Sequence, residues 1–197
     1  MSAPETPELA LFPLQTVLFP GGRLPLRIFE QRYMEMAKAC LRDGTPFGVC
    51  LIREGHEVGE PALPEDVGCL ARIVEWDMPQ LGLLQVTARG ERRFRIRSRR
   101  VQADGLARAD VELLDEEADA PLDAASDLCA RVLRKIVEAG GERLVEPPLR
   151  YDSSAWVSAR LAELLPLSTE SRQRLLEMDD ARARIEILRR LIGSAAQ

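Results

Sequence analysis

Residues that could do chemistry are few in this chain. His56 is its only histidine, so a Ser-His-Asp or Cys-His nucleophilic site would have to use it. It falls between Arg53 and Asp66, where Gly55, Gly59, Pro61 and Pro64 leave no periodicity and predict a surface loop. An imidazole on such a loop is not held within hydrogen-bond reach of a nucleophile, so His56 reads as a solvated histidine. The run His56-Glu57-Val58-Gly59-Glu60 has a surface likeness to a zinc-binding helix. It lacks the second histidine, and its glycines prevent ligands from stacking one turn apart. A Ser-Lys dyad would draw on Lys38 or Lys135, the only lysines, and both fall on the water-facing sides of amphipathic segments. No G-x-x-x-x-G-K-[ST] loop is present, and Gly21-Gly22 lacks the lysine and hydroxyl that hold nucleotide phosphates and magnesium. The sequence therefore assigns no catalytic residue, no metal and no cofactor, and no enzyme activity is expected.

Two features point to binding instead. Arg89, Arg92, Arg93, Arg95, Arg97, Arg99 and Arg100 place seven guanidinium groups within twelve residues, the electrostatic footprint of a nucleic-acid surface. Alternation sends Phe94, Ile96 and Ser98 inward and Arg93, Arg95, Arg97 and Arg99 outward, with no aromatic residues between them to stack bases. If Asp104-Gly105 is a two-residue hairpin turn, Ile96 opposes Leu113, Ser98 opposes Val111, Arg97 opposes Glu112 and Arg99 opposes Asp110. Those counter-charges make the strand an ion-paired, solvated face rather than a nucleic-acid site. The second feature is Trp76, Met78 and Leu81 around a predicted hairpin tip across Asp77-Met78-Pro79-Gln80. Tucked back, Trp76 and Leu81 would close the end of a core; exposed, the three would offer an adaptable apolar contact for a polypeptide.

The elements that must position these residues come as strands first and helices last. Leu9–Leu14, Val17–Phe19 and Leu24–Ile28 are short extended segments, with Pro13, Pro20 and Pro25 confining them to edges, ends or bulges. Phe29, Tyr33, Met36, Ala37, Cys40 and Leu41 share a helical face that ends at Asp43-Gly44. Phe47–Ile52, Val67–Trp76 and Leu81–Arg89 are further strands. After Ala120 the apolar spacing turns helical. Pro121 opens a helix with Ala125, Cys129, Val132, Leu133 and Ile136 on one face, ending at Gly140-Gly141. Ser153 or Ser154 caps the next, stopped by Pro166; Ser168 caps a third. Asp179 or Asp180 starts the last, with Ala181, Ile185, Leu188 and Ile192 buried, Gly193 as its end, and Ser194 to Gln197 frayed.

Composition bounds the class. The 197 residues are 46% hydrophobic and 30% charged with a net charge of -5, enough chain for one domain or two small packed lobes. No apolar run reaches the roughly 18 residues of a membrane span, and no secretory signal is visible, so a cytoplasmic protein is expected. Cys40, Cys50, Cys69 and Cys129 form no C-x-x-C pair and read as buried free thiols.

The runs Pro13-Leu14-Gln15-Thr16-Val17-Leu18-Phe19-Pro20 and Pro25-Leu26-Arg27-Ile28-Phe29-Glu30-Gln31-Arg32-Tyr33 resemble the opening of the Lon protease N-terminal domain family. Phe47-Gly48-Val49, Val67-Gly68-Cys69-Leu70-Ala71-Arg72-Ile73 and Gly90-Glu91-Arg92-Arg93-Phe94-Arg95-Ile96 resemble its successive strand motifs. Leu164-Leu165-Pro166-Leu167, Gln173, Leu175-Leu176-Glu177 and Arg184-Ile185 resemble its helical end, so the likeness runs from Leu9 to Leu191. It implies an α+β fold: a PUA-like β pseudobarrel with one helix over residues 1–118, then a helical lobe over 119–197. Gln15 stands where the family usually has arginine and Arg172 where it usually has lysine. The Met78 to Leu81 tip is more apolar than the family's polar turn.

In full-length Lon proteases this domain recognises or positions protein substrates, and separate ATPase and Ser-Lys parts do the rest. The resemblance therefore implies a non-catalytic polypeptide-binding module, a substrate receptor or adaptor in protein quality control. Its expected partners are polypeptide substrates or a protease or chaperone, with no membrane and no nucleic acid; a homodimer is left open. The alternatives are an RNA-binding module using Arg93 to Arg99, by fold analogy, and an ATP-dependent peptidase component whose activity a partner would supply.

Overall fold

The computed structural model describes residues 8–124, 126–140 and 145–195. The chain divides into two compact units, Met1–Asp115 and Glu116–Gln197.

In the first unit the strands are β1 (Glu8–Leu14), β2 (Arg23–Ile28), β3 (Phe47–Glu54), β4 (Leu63–Gln80), β5 (Leu83–Val101) and β6 (Ala107–Leu113), with α1 (Gln31–Asp43) between β2 and β3. Their order is β2-β5-β4-β3-β1-β6, and β6 also pairs with β5. That extra pairing closes β5, β4, β3, β1 and β6 into a ring and leaves β2 as an edge. The α+β fold, a strand ring followed by helices, is as expected. Pro25 lies on the edge strand, and Pro13 lies where β1 pairs only with β3, beyond its last pairs with β6; both avoid a central ladder.

Alternation along β1 sends side chains to two apolar clusters. Ala10, Phe12 and Leu14 join Tyr33, Met34, Met36 and Ala37 of α1, together with Ile28, Leu84 and Val86. Leu9 and Leu11 join Phe94, Ala109 and Val111. Each large side chain so buried contributes about 1.5–3 kcal/mol. α1 ends at Gly44, whose φ of 65° is the left-handed conformation that the Asp43-Gly44 pair implied. Gly90 is required by close approach: a Cβ there would run into the Phe19 carbonyl oxygen.

Several expectations need correction. Val17–Phe19 is buried but irregular, and Phe29 lies before α1 and is 57% exposed, because the helix starts only after Glu30. β4 and β5 run much further than expected, and their turn is Leu81-Gly82, with Gly82 at φ 83°. The β5–β6 connection is a five-residue loop, Gln102–Leu106, rather than a two-residue Asp104-Gly105 turn. Asp104 accepts the Leu106 N–H at 2.9 Å, and Arg32 donates to the Gly105 carbonyl at 3.2 Å. The longer loop and a register shift between Ile96 and Ser98 move every predicted pair: Ile96 opposes Val111, Ser98 opposes Asp110 and Arg99 opposes Ala109. Arg97 still reaches Glu112 as a diagonal ion pair. The Arg99–Asp110 opposition is absent, and Asp110 instead accepts from the Ser98 hydroxyl at 2.5 Å. Arg93, expected outward, is buried, and Ser98, expected inward, is exposed.

The second unit contains α2 (Asp127–Glu138), α3 (Ser154–Leu164), α4 (Thr169–Glu177) and α5 (Ala181–Ala195). α2 begins six residues after Pro121, and Ala125 and Gly141 of its predicted extent lie outside the described residues. Ser153 caps α3 by accepting the Trp156 N–H at 3.0 Å, and Ser168 caps α4 by accepting the Ser171 N–H at 3.2 Å. Asp180 accepts from Arg182 and Ala183 at the start of α5. Ala181, Ile185 and Leu188 form the buried stripe, but Gly193 does not end α5, which continues to Ala195. Among the described residues no helix is long and apolar enough to cross a membrane.

Candidate functional site

The β4–β5 hairpin outgrows the core that it helps to build. Trp76 pairs with Val86, and Val86 pairs with Leu26 on β2, so the three share one face of the sheet. Leu26 and Val86 are buried, whereas Trp76 is 60% exposed. The same apolar face thus passes from core to solvent within one cross-strand row. Met78 is 41% exposed and Leu81, at the turn, 98%. Asp77 accepts the Met78 N–H at 2.8 Å beside the turn. All three residues singled out from sequence therefore stand at the exposed end of one hairpin.

A cleft of about 540 Å³ lies across the base of that end, lined by Pro25, Arg27, Glu75, Trp76, Asp77 and Val86 among others. Arg23 pairs with Glu75 at 2.8 Å on its margin. Hydrogen bonds from Arg23 and then Thr87 hold the Glu75 carboxyl below its ordinary range. A second cleft, of about 370 Å³, lies between β2 and the second half of β1, with the exposed Phe29 and Val58 in its walls. Tyr33 lines it too, stacked on Phe12 at 4.1 Å with the Arg32 guanidinium 4.7 Å from its ring. Burial pushes the Tyr33 hydroxyl above its ordinary pKa. This cleft is not expected from the sequence, in which Phe29 falls on the helical face that continues into α1 and Val58 in a surface loop. The available signal was that each of these large apolar residues stands next to a glutamate, Phe29 beside Glu30 and Val58 beside Glu57.

A third cleft, of about 680 Å³, belongs to the helical unit, where Arg134 lies 4.7 Å over the Tyr151 ring. Trp156 stands edge-on to the same tyrosine at 5.4 Å. His56 is exposed, Lys38 pairs with Glu35 at 2.8 Å, and Lys135 is exposed on α2. Among the described residues no three His, Cys, Asp or Glu side chains gather as metal ligands. The four cysteines are buried and free; burial pushes the Cys129 thiol up to about 11.

A ring of strands with one packed helix, followed by a helical unit, is the fold of Lon N-terminal domains. The chain belongs to the family of ATP-dependent protease La (LON) substrate-binding domains, whose model matches residues 8–193. A crystal structure of the Lon N-terminal domain protein from Xanthomonas campestris is 38% identical, with a TM-score of 0.78 over 92% of this chain and 96% of that one. The Lon protease of Paraburkholderia phytofirmans is 29% identical over 94% of this chain and 25% of its own length. Cereblon of Danio rerio is 28% identical over 57% of this chain and 25% of its own. The chain thus spans about a quarter of the length of these curated relatives.

Proposed function

We propose that this chain binds segments of unfolded polypeptide at the end of the β4–β5 hairpin, with Trp76, Met78 and Leu81 as the contact. It acts as a substrate receptor or adaptor, presenting clients to a protease or chaperone without cutting them itself. The observation that carries this reading is the exposure of Leu81, Met78 and Trp76 together, with Trp76 in a cross-strand row whose other members, Val86 and Leu26, are buried. Tryptophan supplies large contact area at low entropic cost, and methionine adapts to varied partners. The family's description names a substrate-binding domain of a protease, which supports a polypeptide as the ligand.

The test uses reduced, carboxymethylated α-lactalbumin, a permanently unfolded probe, with binding read by fluorescence anisotropy. Trp76→Glu and Leu81→Glu should each weaken binding about tenfold, since hot-spot truncations cost more than about 1 kcal/mol. Their melting temperatures should match the parent's, because neither side chain fills the core. Unchanged affinity in both variants overturns the reading.

One observation favours a second reading, an RNA surface on β5. With the register corrected, Arg95 and Arg99 have no ion pair among the described residues, while Arg97 holds Glu112 and Arg100 holds Glu8. Loss of captured material to nuclease, together with loss of binding in Arg95→Glu and Arg99→Glu, would put this reading first.

A further inference from the structure

β2 has chemistry of its own, which deepens the polypeptide-binding reading and rests on it. The strand pairs with β5 on one side only. The Gly90 N–H donates to the Gly22 carbonyl at 2.9 Å, which sets the parity of the segment that follows. Leu24, Leu26 and Ile28 turn their backbone groups toward β5, and Pro25 and Arg27 turn theirs toward the open edge. Pro25 has no N–H to offer, so the middle of this edge presents the Pro25 carbonyl and both backbone groups of Arg27.

The 370 Å³ cleft follows that edge. Its wall includes the consecutive residues Leu24 to Glu30, both parities together, as a groove along a strand's side must. Phe12, Leu14 and Thr16 form the facing wall, where β1 has passed its last pair with β6, Ala10 with Arg108. β6 therefore bridges the first half of β1 to β5, whereas the second half of β1 and β2 flank a cleft. Arg27 lines both this cleft and the one beneath Trp76, is exposed, and has no ion pair among the described residues.

We infer that an extended client segment adds to the open edge of β2 as a further strand. Its backbone meets the Pro25 carbonyl and the Arg27 amide, and its alternate apolar side chains lie against Leu24, Phe29 and Val58. A strand edge is satisfied by another backbone, and Arg27 favours a segment with a carboxylate near its paired residues.

The experiment follows amide exchange by NMR in the full chain with saturating reduced, carboxymethylated α-lactalbumin. The Arg27 amide should exchange at least about tenfold more slowly in the complex. Arg27→Glu should weaken the probe about tenfold, with Arg53→Glu, an exposed control outside both clefts, leaving it unchanged. Probe binding without slowing at Arg27 overturns strand addition and leaves the hairpin reading standing. No probe binding at all overturns both. Equal losses in the two charge variants reduce Arg27 to general electrostatics and overturn the proposal. Slowing that grows with protein concentration in the absence of probe gives the edge to a second copy, and also overturns it.

Discussion

Arg184 shows how much a single side chain can depend on distant chain. It is 1% exposed, yet its guanidinium is well supplied: Nη1 donates to Glu117 Oε1 at 2.6 Å, Nη2 to Glu117 Oε2, and Nε to Ser158 Oγ at 2.9 Å. Taking the charges out of water costs several kcal/mol, which only such full pairing offsets. Glu117→Ala leaves the cation buried and should lower stability to urea by about 3–5 kcal/mol. Replacing both partners, Glu117→Leu with Arg184→Met, should recover most of that loss. A single variant costing under about 1 kcal/mol would show that the pair does not order this unit. In the sequence Arg184 was visible only as part of a family-like motif. Its partner precedes four helices, and no local spacing announces it. Gly90 is similar, since its motif was legible but the Phe19 carbonyl that requires it was not.

Capping was the most legible feature of the elements. Ser153, Ser168 and Asp180 each do what a short polar side chain before an apolar helical run predicts, because capping depends on residues three or fewer apart. Asp119 extends the cap of α3 from outside. It accepts from the Ser153 hydroxyl at 2.8 Å and the Ala155 N–H at 3.3 Å, and it pairs with Arg150. Burial works against its charge, but the Ser153 and Ala155 hydrogen bonds, with Arg150 and the Ala120 N–H, hold its pKa below the ordinary value. Its stabilising contribution is therefore present above about pH 4, the ordinary aspartate range, and is lost as pH falls through the depressed folded value. Urea midpoints measured between pH 6 and pH 2.5 should fall less steeply for Asp119→Asn than for the parent. Parallel profiles would remove Asp119 from the acid sensitivity of this unit. Strand register was far less legible than capping. Asp104-Gly105 correctly marked a turn, but the loop is longer than two residues and is held from far along the chain, by Arg32 of α1 on the Gly105 carbonyl.

At the scale of the whole molecule, charge and apolar surface make opposite demands on a ligand. The chain carries a net charge of -5, and on its arginine-rich strand Arg97 and Arg100 are ion-paired and Arg93 is buried. A client held by the apolar hairpin should stay bound when salt rises from about 0.1 to 1 M, where the screening length shrinks from about 10 to 3 Å. A steep fall in affinity over that range would assign binding to the arginines instead. The strand-then-helix order, the caps that start α3, α4 and α5, the buried cysteines, the lack of a P-loop motif and, through motifs in order, the family were all readable from the chain alone. These rest on local periodicity and on residues close in the chain. Three-dimensional pairing was needed to show that β6 closes the ring beside an unpaired β2 edge, that Phe29 and Val58 line a cleft there, and that Trp76 emerges from an otherwise buried row. Those outcomes depend on which strands meet and in what register, and that is fixed by packing between residues far apart in sequence.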